Sequence, residues 1–316
     1  MKYIETFREG AHISEVYLCK TKQIALTKNG KEYGSLTLQD KTGTVDAKIW
    51  ELNSPGINEF AAMDYVFVDA DVTVFQGAFQ LNVKRIRKAD EGEYRPGDYL
   101  PVTSKDVKTM QHELTQYITT IRNEYLRKLA AGFFMNDAAF MKAFSFHSAA
   151  KSVHHGFLSG LLMHTLNMLR LADFLSAQYA DTVNRSLLLT GTLLHDFAKE
   201  QEFTFSELGL VTDYSTKGQL LGHLVMGAQE VAAIAAELDL PEEKATLLEH
   251  LILSHHGQPE FGAAVLPQCA EAELLSLVDQ IDSRMEIYRE VLAPLKAGEF
   301  SQRVFALDNR RIYKHQ

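Results

Sequence analysis

The amino-acid sequence predicts two domains of different class, an all-β barrel in residues 1–95 and an all-α domain in residues 96–316. Two periodicities indicate this division. Apolar and polar residues alternate over the first ninety positions, whereas apolar residues later recur at three- and four-residue steps. Between the two patterns, residues 90–101 (DEGEYRPGDYLP) combine glycine, proline and acids without an apolar period, which is typical of a linker. A chain of 316 residues is long enough for two domains.

Five strands and one short helix are expected in the first domain. The clearest strand is at residues 44–50, where Val45, Ala47 and Ile49 alternate with polar residues. Asn29-Gly30 is a strong signal for a hairpin turn. In chain order the predicted elements are strands at 16–28, 35–40 and 44–50, a short helix from Ser54-Pro55 to Met63, and strands at 65–76 and 78–86.

Three strands, a helix and two further strands form the chain order of the OB-fold, a five-stranded barrel that often binds oligonucleotides. The segment GSLTLQDKTGTVDAKIW, at residues 34–50, resembles the nucleic-acid-binding OB-folds found near anticodon-binding and helicase domains. This resemblance implies that the first domain binds single-stranded nucleic acid.

Aromatic and basic residues near the last predicted turn fit that role. Phe75 and Phe79 flank the turn, and Lys84 and Arg85 follow it. Proteins that bind single strands stack bases on aromatic rings and hold phosphates with cations. The alternative is that both phenylalanines close the barrel core and the basic residues form a solvated strand end. Trp50, at the end of the third strand, is a second candidate platform for stacking.

The composition excludes several classes of protein. The chain is 46% hydrophobic and 23% charged, an ordinary globular balance that argues against disorder. We expect neither a membrane-spanning helix nor a signal peptide, because apolar runs of the required kinds are missing. Two cysteines form neither a disulfide framework nor a cysteine zinc site. These features predict a cytoplasmic protein without a membrane partner.

Histidine and negative charge are concentrated in the second domain. Residues 1–90 carry equal numbers of basic and acidic residues, so the formal net charge of −9 lies in the remainder. Eleven of the twelve histidines follow residue 100. The apolar periods predict helices from 107 onwards, including 158–175, 186–196, 220–238, 241–253 and 271–291.

The central motif of these helices is His195-Asp196, within LLHDFAK at residues 193–199. His164 and Asp279 lie in the similarly apolar runs LLMHTLNML and LLSLVDQID. Burying unpaired imidazole or carboxylate groups is costly, and a shared metal ion would remove that cost for all of them. Neutral imidazole and carboxylate groups are common ligands of divalent metals.

The order H…HD…H…HH…D, over residues 145–285, resembles that of the HD-domain metal-dependent phosphohydrolases. The resemblance implies one divalent metal ion, which in this sequence would be held by His164, His195, Asp196 and Asp279. Because His223 and His255 are also present, we expect a second ion, held by them and Asp196. Asp196 would bridge the ions. His256 would either be a further ligand or donate a hydrogen bond to phosphate. Asp282, one turn from Asp279, would either support the site or lie exposed.

Lys199 follows Asp196 by three residues and would share its helical face if the helix continues that far. There its ammonium group could stabilise a phosphoryl oxygen, so Asp196 and Lys199 are the candidate catalytic residues. The alternative is a solvated lysine followed by Glu200.

An OB-fold followed by an HD domain resembles, over nearly the whole chain, the YhaM-type 3′–5′ exoribonucleases. The runs HHGFLSGLLMHT (154–165) and GQLLGH (218–223) are part of the resemblance. It implies metal-dependent removal of nucleoside monophosphates from the 3′ end of single-stranded RNA, often with activity on DNA, and a preference for manganese. His154 and His155 would then contact the terminal phosphate at the mouth of the site, or else be ordinary surface-loop histidines.

Two other function classes remain open from the sequence. The first is an HD phosphohydrolase of nucleotides or cyclic dinucleotides that uses the OB-fold for assembly, for example into a homo-oligomer. The second is a non-enzymatic nucleic-acid-binding protein with a degenerate HD core, against which the full ligand set argues. The basic tail at residues 300–316 could contact nucleic acid or a neighbouring subunit.

Overall fold

The protein forms two compact units, Met1–Val102 and Thr103–Gln316, of which the first is a β-barrel and the second is mainly helical. The predicted fold classes are confirmed. The computed structural model describes residues 1–27, 29–99, 106–148, 159–205 and 211–315.

Five strands close the barrel of the first unit. They are β1 (His12–Leu26), β2 (Glu32–Asp40), β3 (Gly43–Ile49), β4 (Tyr65–Phe75) and β5 (Ala78–Lys88). Their order around the barrel is β1-β2-β3-β5-β4, with β4 returning antiparallel to β1 and β3 lying parallel to β5. This topology is that of an OB-type barrel.

The alternation in the sequence fills the barrel core as predicted. On β3, Val45, Ala47 and Ile49 are buried. On β4 the buried series runs from Val66 to Val72, and Val74 beyond it is exposed. Tyr94 and Tyr99, from the predicted linker, pack their rings on Tyr65, so this segment is part of the first unit.

The helix predicted between Ser54-Pro55 and Met63 is wrong. Residues 51–64 run through turns, and Ile57 forms a parallel bridge with Ile86 of β5. The Asn58 N–H donates to the Ile86 carbonyl, and the Ile86 N–H donates to the Gly56 carbonyl. The backbone of this segment is therefore paired with β5 at its centre, and the rest of it forms turn hydrogen bonds and a bond from the Met63 N–H to the Cys19 carbonyl of β1.

The described part of the second unit contains helices α1 (Val107–Thr120), α2 (Glu124–Phe134), α3 (Ala138–Phe146), α4 (Gly160–Gln178), α5 (Arg185–Leu194), α6 (Lys199–Glu202), α7 (Thr216–Glu237), α8 (Glu242–Ser254) and α9 (Ala270–Leu292). Two antiparallel pairs accompany them, β6 (Phe203–Phe205) with β7 (Val211–Tyr214) and β8 (Phe300–Val304) with β9 (Arg310–Tyr313). Side-chain caps begin several helices. Asp106 accepts from the Thr109 N–H, and Asn184 accepts from the Leu187 N–H. None of the helices described is both long enough and apolar enough to cross a lipid bilayer.

Helices α4 and α5 lie in the core of this unit, and every residue of α5 except its first is buried. Gly191 allows α8 to approach α5 closely, since a Cβ at this position would lie 2.2 Å from Leu251 Cδ2. The core thereby brings the C-terminal ends of α5 and α8 together, and both ends carry histidines.

The C-terminal strands form a hairpin that packs on α9 through a small core of Ile287, Leu307 and Ile312. The basic residues of the tail hold this hairpin in place. Arg311 Nε donates to the Ser301 carbonyl, and Lys314 Nζ donates to carbonyls at the end of α9 and just beyond it.

Candidate metal centre

Four imidazole rings surround the buried carboxylate of Asp196. Its Oδ2 lies 3.3 Å from His195 Nε2 and 3.7 Å from His164 Nε2. Its Oδ1 lies 3.3 Å from His223 Nε2 and 3.6 Å from His255 Nε2. The two oxygens of one carboxylate therefore face two separate pairs of histidines.

Two of these rings are oriented by the backbone of the helix that precedes them. The Nδ1 of His195 is 2.8 Å from the Thr192 carbonyl, and the Nδ1 of His255 is 2.8 Å from the Ile252 carbonyl. Each histidine caps the C-terminus of its helix, α5 or α8, where unpaired carbonyls are available. Because Nδ1 donates to a carbonyl, Nε2 is left as an acceptor that points towards Asp196.

The other two rings are oriented by carboxylates. Asp282 Oδ2 lies 2.7 Å from Nδ1 of His164, and Glu202 Oε1 lies 3.0 Å from Nδ1 of His223. Carboxylates in this position fix the orientation and tautomer of metal-binding histidines. The sequence left open whether Asp282 supports the site or lies exposed. The structure places it against His164, where it supports the site. Glu202 was missed, because nothing in its spacing relates it to His223.

Asp279 and His256 complete the cluster. Asp279 Oδ1 lies 3.3 Å from His164 Nε2. The ring of His256 lies 4.5 Å from that of His255 and 5.3 Å from that of His223, measured between centroids.

Buried polar atoms without a hydrogen-bond partner are concentrated here. Among the residues described they include Asp196 Oδ1, His223 Nε2, His255 Nε2 and His256 Nδ1. Such atoms are rare in proteins and cost free energy unless they are satisfied. Nitrogen and oxygen atoms of two groups, His164–His195–Asp196 and His223–His255–His256, lie within 4.8 Å of one another in each group. This donor set fits divalent cations, which would satisfy the unpaired atoms.

The electrostatics of the cluster also favour a cation. Burial alone would lower the pKa of His164, but Asp279 and Asp282 raise it to about 10. The negative charge that would keep a proton on this ring would also attract a divalent ion, so proton and metal compete for Nε2. Burial lowers the pKa of His255 to about 3, and its ring is therefore neutral, as a metal ligand must be.

Lys199 contacts Asp196, but not for the reason that its spacing suggested. Helix α5 ends at Leu194, and Lys199 begins the separate short helix α6, so the helix does not continue as far as Lys199. The intervening turn brings Lys199 Nζ to 2.7 Å from Asp196 Oδ2. Both residues line a cavity of about 370 Å³, together with His164 and Asp279.

Two glycines of the run GQLLGH position His223. A Cβ at Gly218 would lie 2.0 Å from the Glu202 carbonyl oxygen, so only glycine allows this close approach. Gly222 interrupts α7 with φ 73° and ψ 158°, a conformation essentially restricted to glycine. This kink turns both the N–H and the ring of His223 towards the Glu202 carboxylate.

The barrel residues predicted to bind nucleic acid lie in different environments. Phe75 and Phe79 are 58% and 41% exposed, so the alternative that they close the barrel core is wrong. Lys84 and Arg85 each form an ion pair at 2.5 Å with an aspartate of β4, and their charges are thereby partly neutralised. The Trp50 ring, the rival platform, stacks on Tyr33 with 5.0 Å between centroids. His154 and His155 lie outside the described residues.

Several solved structures resemble parts of this chain. One is a replication protein A heterotrimer bound to single-stranded DNA, at 16% identity over 28% of this chain and 64% of that chain, with a TM-score of 0.22. Another is the second OB-fold domain of replication protein A from Methanococcus maripaludis, at 22% identity over 26% of this chain and 86% of that chain, with a TM-score of 0.20. A third is the HD domain of the L. monocytogenes phosphodiesterase PgpH, at 16% identity over 47% of this chain and 74% of that chain, with a TM-score of 0.31. The chain thus spans less than two thirds of the first of these structures.

The family model of the HD domain matches residues 161–284. This range begins at α4 and ends within α9, and it contains all the described residues of the cluster around Asp196. The chain therefore carries an HD domain at residues 161–284, behind an N-terminal barrel of OB type.

Proposed function

We propose that this protein is a metal-dependent phosphodiesterase that degrades single-stranded RNA from its 3′ end to nucleoside 5′-monophosphates. The observation that carries the hydrolytic part is the arrangement at Asp196, whose two oxygens face two pairs of imidazole nitrogens. The direction of degradation and the preference for RNA are supported by the resemblance to YhaM-type exoribonucleases, and so is manganese as the native ion.

The cluster divides naturally into two cation sites that share Asp196. The first would use His164, His195 and Asp279 with Oδ2 of Asp196, and the second would use His223 and His255 with Oδ1. Ions held by these residues would supply positive charge for the phosphoryl oxygens and a water activated for attack on phosphorus. His256, whose Nδ1 has no partner among the described residues, is available to either the second ion or the phosphate.

Lys199 would supply a fixed positive charge to the same cavity. Burial alone would lower the pKa of Lys199, but Asp196 raises it, so the ammonium group stays charged. One of its three donors is used by Asp196 at 2.7 Å, and the side chain keeps 16% of its exposure. The remaining donors can bind a non-bridging phosphoryl oxygen, where the negative charge increases in the transition state.

The exposed rings of the barrel would hold the strand. Phe75 and Phe79 lie at opposite ends of the β4–β5 turn and present aromatic surface without burying it in the barrel. Because Lys84 and Arg85 are already paired with acids, we assign most of the proposed affinity of the barrel to stacking.

A time course on 5′-labelled single-stranded RNA with Mn²⁺ tests the proposal. We expect a descending ladder of labelled fragments and nucleoside 5′-monophosphate as product. Mononucleotides and cyclic dinucleotides are assayed in parallel. Hydrolysis of these small substrates without degradation of RNA would favour the alternative of a small-molecule phosphohydrolase. A labelled mononucleotide as the first product would show that degradation starts at the 5′ end.

Replacing His223 by alanine should remove one of two bound metal ions. The ring faces only Oδ1 of Asp196, so the group formed by His164, His195 and Asp279 keeps its geometry. Metal analysis after equilibration with Mn²⁺ should fall from two ions per chain to one. An unchanged stoichiometry would contradict the assignment of His223.

Replacing Gly222 by alanine should weaken cation binding without touching any ligand. We expect a loss of about 1–3 kcal/mol in the free energy of unfolding, because alanine is strained at this φ and ψ. Displacing His223 from Glu202 should also weaken the affinity of one Mn²⁺ by about 10- to 100-fold, measured by calorimetric titration. The control is Gly132→Ala in α2, where a Cβ meets nothing within 4 Å. Equal effects of the two substitutions would contradict the role of the kink.

A further inference from the structure

The cavity next to the metal centre extends along α9, beyond the residues that would hold the ions. Gln280, Ser283, Arg284 and Ile287 line it from α9, and Phe261 and Ala306 line it from elsewhere in the unit. At about 370 Å³ the cavity is within the range of small-molecule sites, so it can accept more than a phosphoryl group.

Arg284 gives this outer part of the cavity a positive charge. It follows Asp279 by five residues on α9, a rise of about 7.5 Å along the helix. Among the described lining residues, Arg284 is the arginine and Lys199 the lysine. Arg284 Nη2 and Arg310 Nη2 each lie 3.1 Å from Asp308 Oδ2, so two arginines share one carboxylate and a net positive charge remains. The Arg284 side chain is 40% exposed, and its guanidinium has further donors. A guanidinium that is held on one side suits the recognition of a phosphate on the other.

Phe261 adds an aromatic surface to the same cavity. Its side chain is 67% exposed although it is large and apolar. It ends a 3-10 turn, Pro259–Phe261, which is closed by hydrogen bonds from the Phe261 N–H to the Gln258 carbonyl and from the Gly262 N–H to the Pro259 carbonyl. A ring held by a fixed turn loses little conformational entropy when it stacks on a nucleobase.

The C-terminal hairpin supplies the remaining wall. Ala306 and Asp308 lie between β8 and β9, and Leu307 between them is fully buried against α9. These residues follow the range matched by the family model, which ends at residue 284. The hairpin therefore lies outside the residues matched by the HD model and forms one wall of the cavity.

We propose that Phe261, Arg284 and the hairpin form a nucleotide subsite on the 5′ side of the scissile phosphate. Arg284 binds the next phosphate of the strand, Phe261 stacks on a base, and Asp308 is a positioning residue for Arg284. The ligand class is an oligonucleotide with at least two successive phosphates. This inference rests on the proposed function, because it takes the scissile phosphate to lie at the metal centre.

A pair of dinucleotides that differ by one phosphate tests the subsite. We compare the dinucleotide pNpN, which carries a 5′-phosphate, with NpN, which lacks it, and with bis-p-nitrophenyl phosphate. The wild-type protein should show a kcat/KM about 10- to 100-fold higher for pNpN than for NpN, the effect of one charged hydrogen bond. Arg284→Ala should remove this preference, so that pNpN and NpN are hydrolysed with similar kcat/KM. Asp308→Asn should raise KM for pNpN with little change in kcat.

Matched controls separate the subsite from general effects. Arg289→Ala removes an exposed arginine from the same helix outside the cavity, and Phe174→Ala removes a ring that is 66% exposed, almost as exposed as Phe261. Phe261→Ala should weaken both dinucleotides by about 10-fold or more, whereas both controls should behave like wild type. Calorimetric binding of pNpN and NpN to each protein provides a second readout that does not depend on turnover.

The outcomes distinguish the subsite from the proposed function. The subsite would be contradicted if the wild-type protein hydrolysed pNpN and NpN equally well, or if Arg284→Ala kept the preference for pNpN. Hydrolysis of both dinucleotides would still support a phosphodiesterase in either case. Preferential binding of pNpN that depends on Arg284, without hydrolysis of any diester, would support the subsite and contradict the proposed function.

Discussion

Asp196→Ala is expected to abolish hydrolysis of RNA and of small diesters, with a loss of at least about 1000-fold in kcat/KM. Even residues that only orient metal ligands typically cost about 10- to 100-fold when replaced. Asp196 contacts both pairs of histidines and Lys199, so no other carboxylate of the cluster can substitute for it. Metal analysis should show that both ions are lost or strongly weakened.

The fold should survive this change. Circular dichroism should show the helical content of the wild type, because the core of the unit is built by apolar residues of α4, α5, α8 and α9. Asp196→Asn serves as a second variant, since it keeps the side-chain volume and removes the charge. Asp181→Ala, at an exposed position after α4, is the control. Turnover near the wild-type value in either Asp196 variant would contradict a site shared by two ions.

The ligands of the proposed centre could be predicted because they are polar residues within apolar sequences that are expected to be buried. His164, His195 and Asp279 stand within apolar helical runs, so their polar groups needed a common partner. The residues that orient them carry no such signal. Glu202 reaches His223 only because of the short helix α6, the kink at Gly222 and the close approach at Gly218. These are tertiary features that spacing along the chain does not encode.

The barrel shows the same division between local and tertiary information. Alternation predicted β3 and most of β4, because it reports directly which face is buried. The predicted helix after β3 is wrong because the segment pairs with β5 at Ile57 and otherwise runs through turns. The ion pairs of Lys84 and Arg85 lie at a bulge, where Lys84 is the extra residue of β5 opposite the step from Asp69 to Ala70. The sequence shows these charges but not that they are paired across strands.

Deleting the first unit, residues 1–102, should impair cleavage of long RNA far more than cleavage of a minimal substrate. All proposed metal ligands and Lys199 belong to the second unit, and the two units have separate apolar cores. Hydrolysis of bis-p-nitrophenyl phosphate should therefore persist. The loss on a 20-mer RNA should appear mainly as a higher KM, because contacts far from the reacting phosphorus stabilise ground and transition states alike.

The size of this effect follows from stacking. Each base that loses an aromatic partner costs about 1–3 kcal/mol, so two bases would raise KM by roughly 30-fold or more. Replacing Phe75 and Phe79 together by alanine should reproduce part of the loss. The control replaces Ile24 and Leu26 by alanine, which removes apolar side chains of similar exposure but no ring. If deletion reduced kcat/KM equally on the 20-mer and on the small diester, the barrel would serve folding or assembly, because a strand-binding barrel has no contact with a substrate that lacks bases.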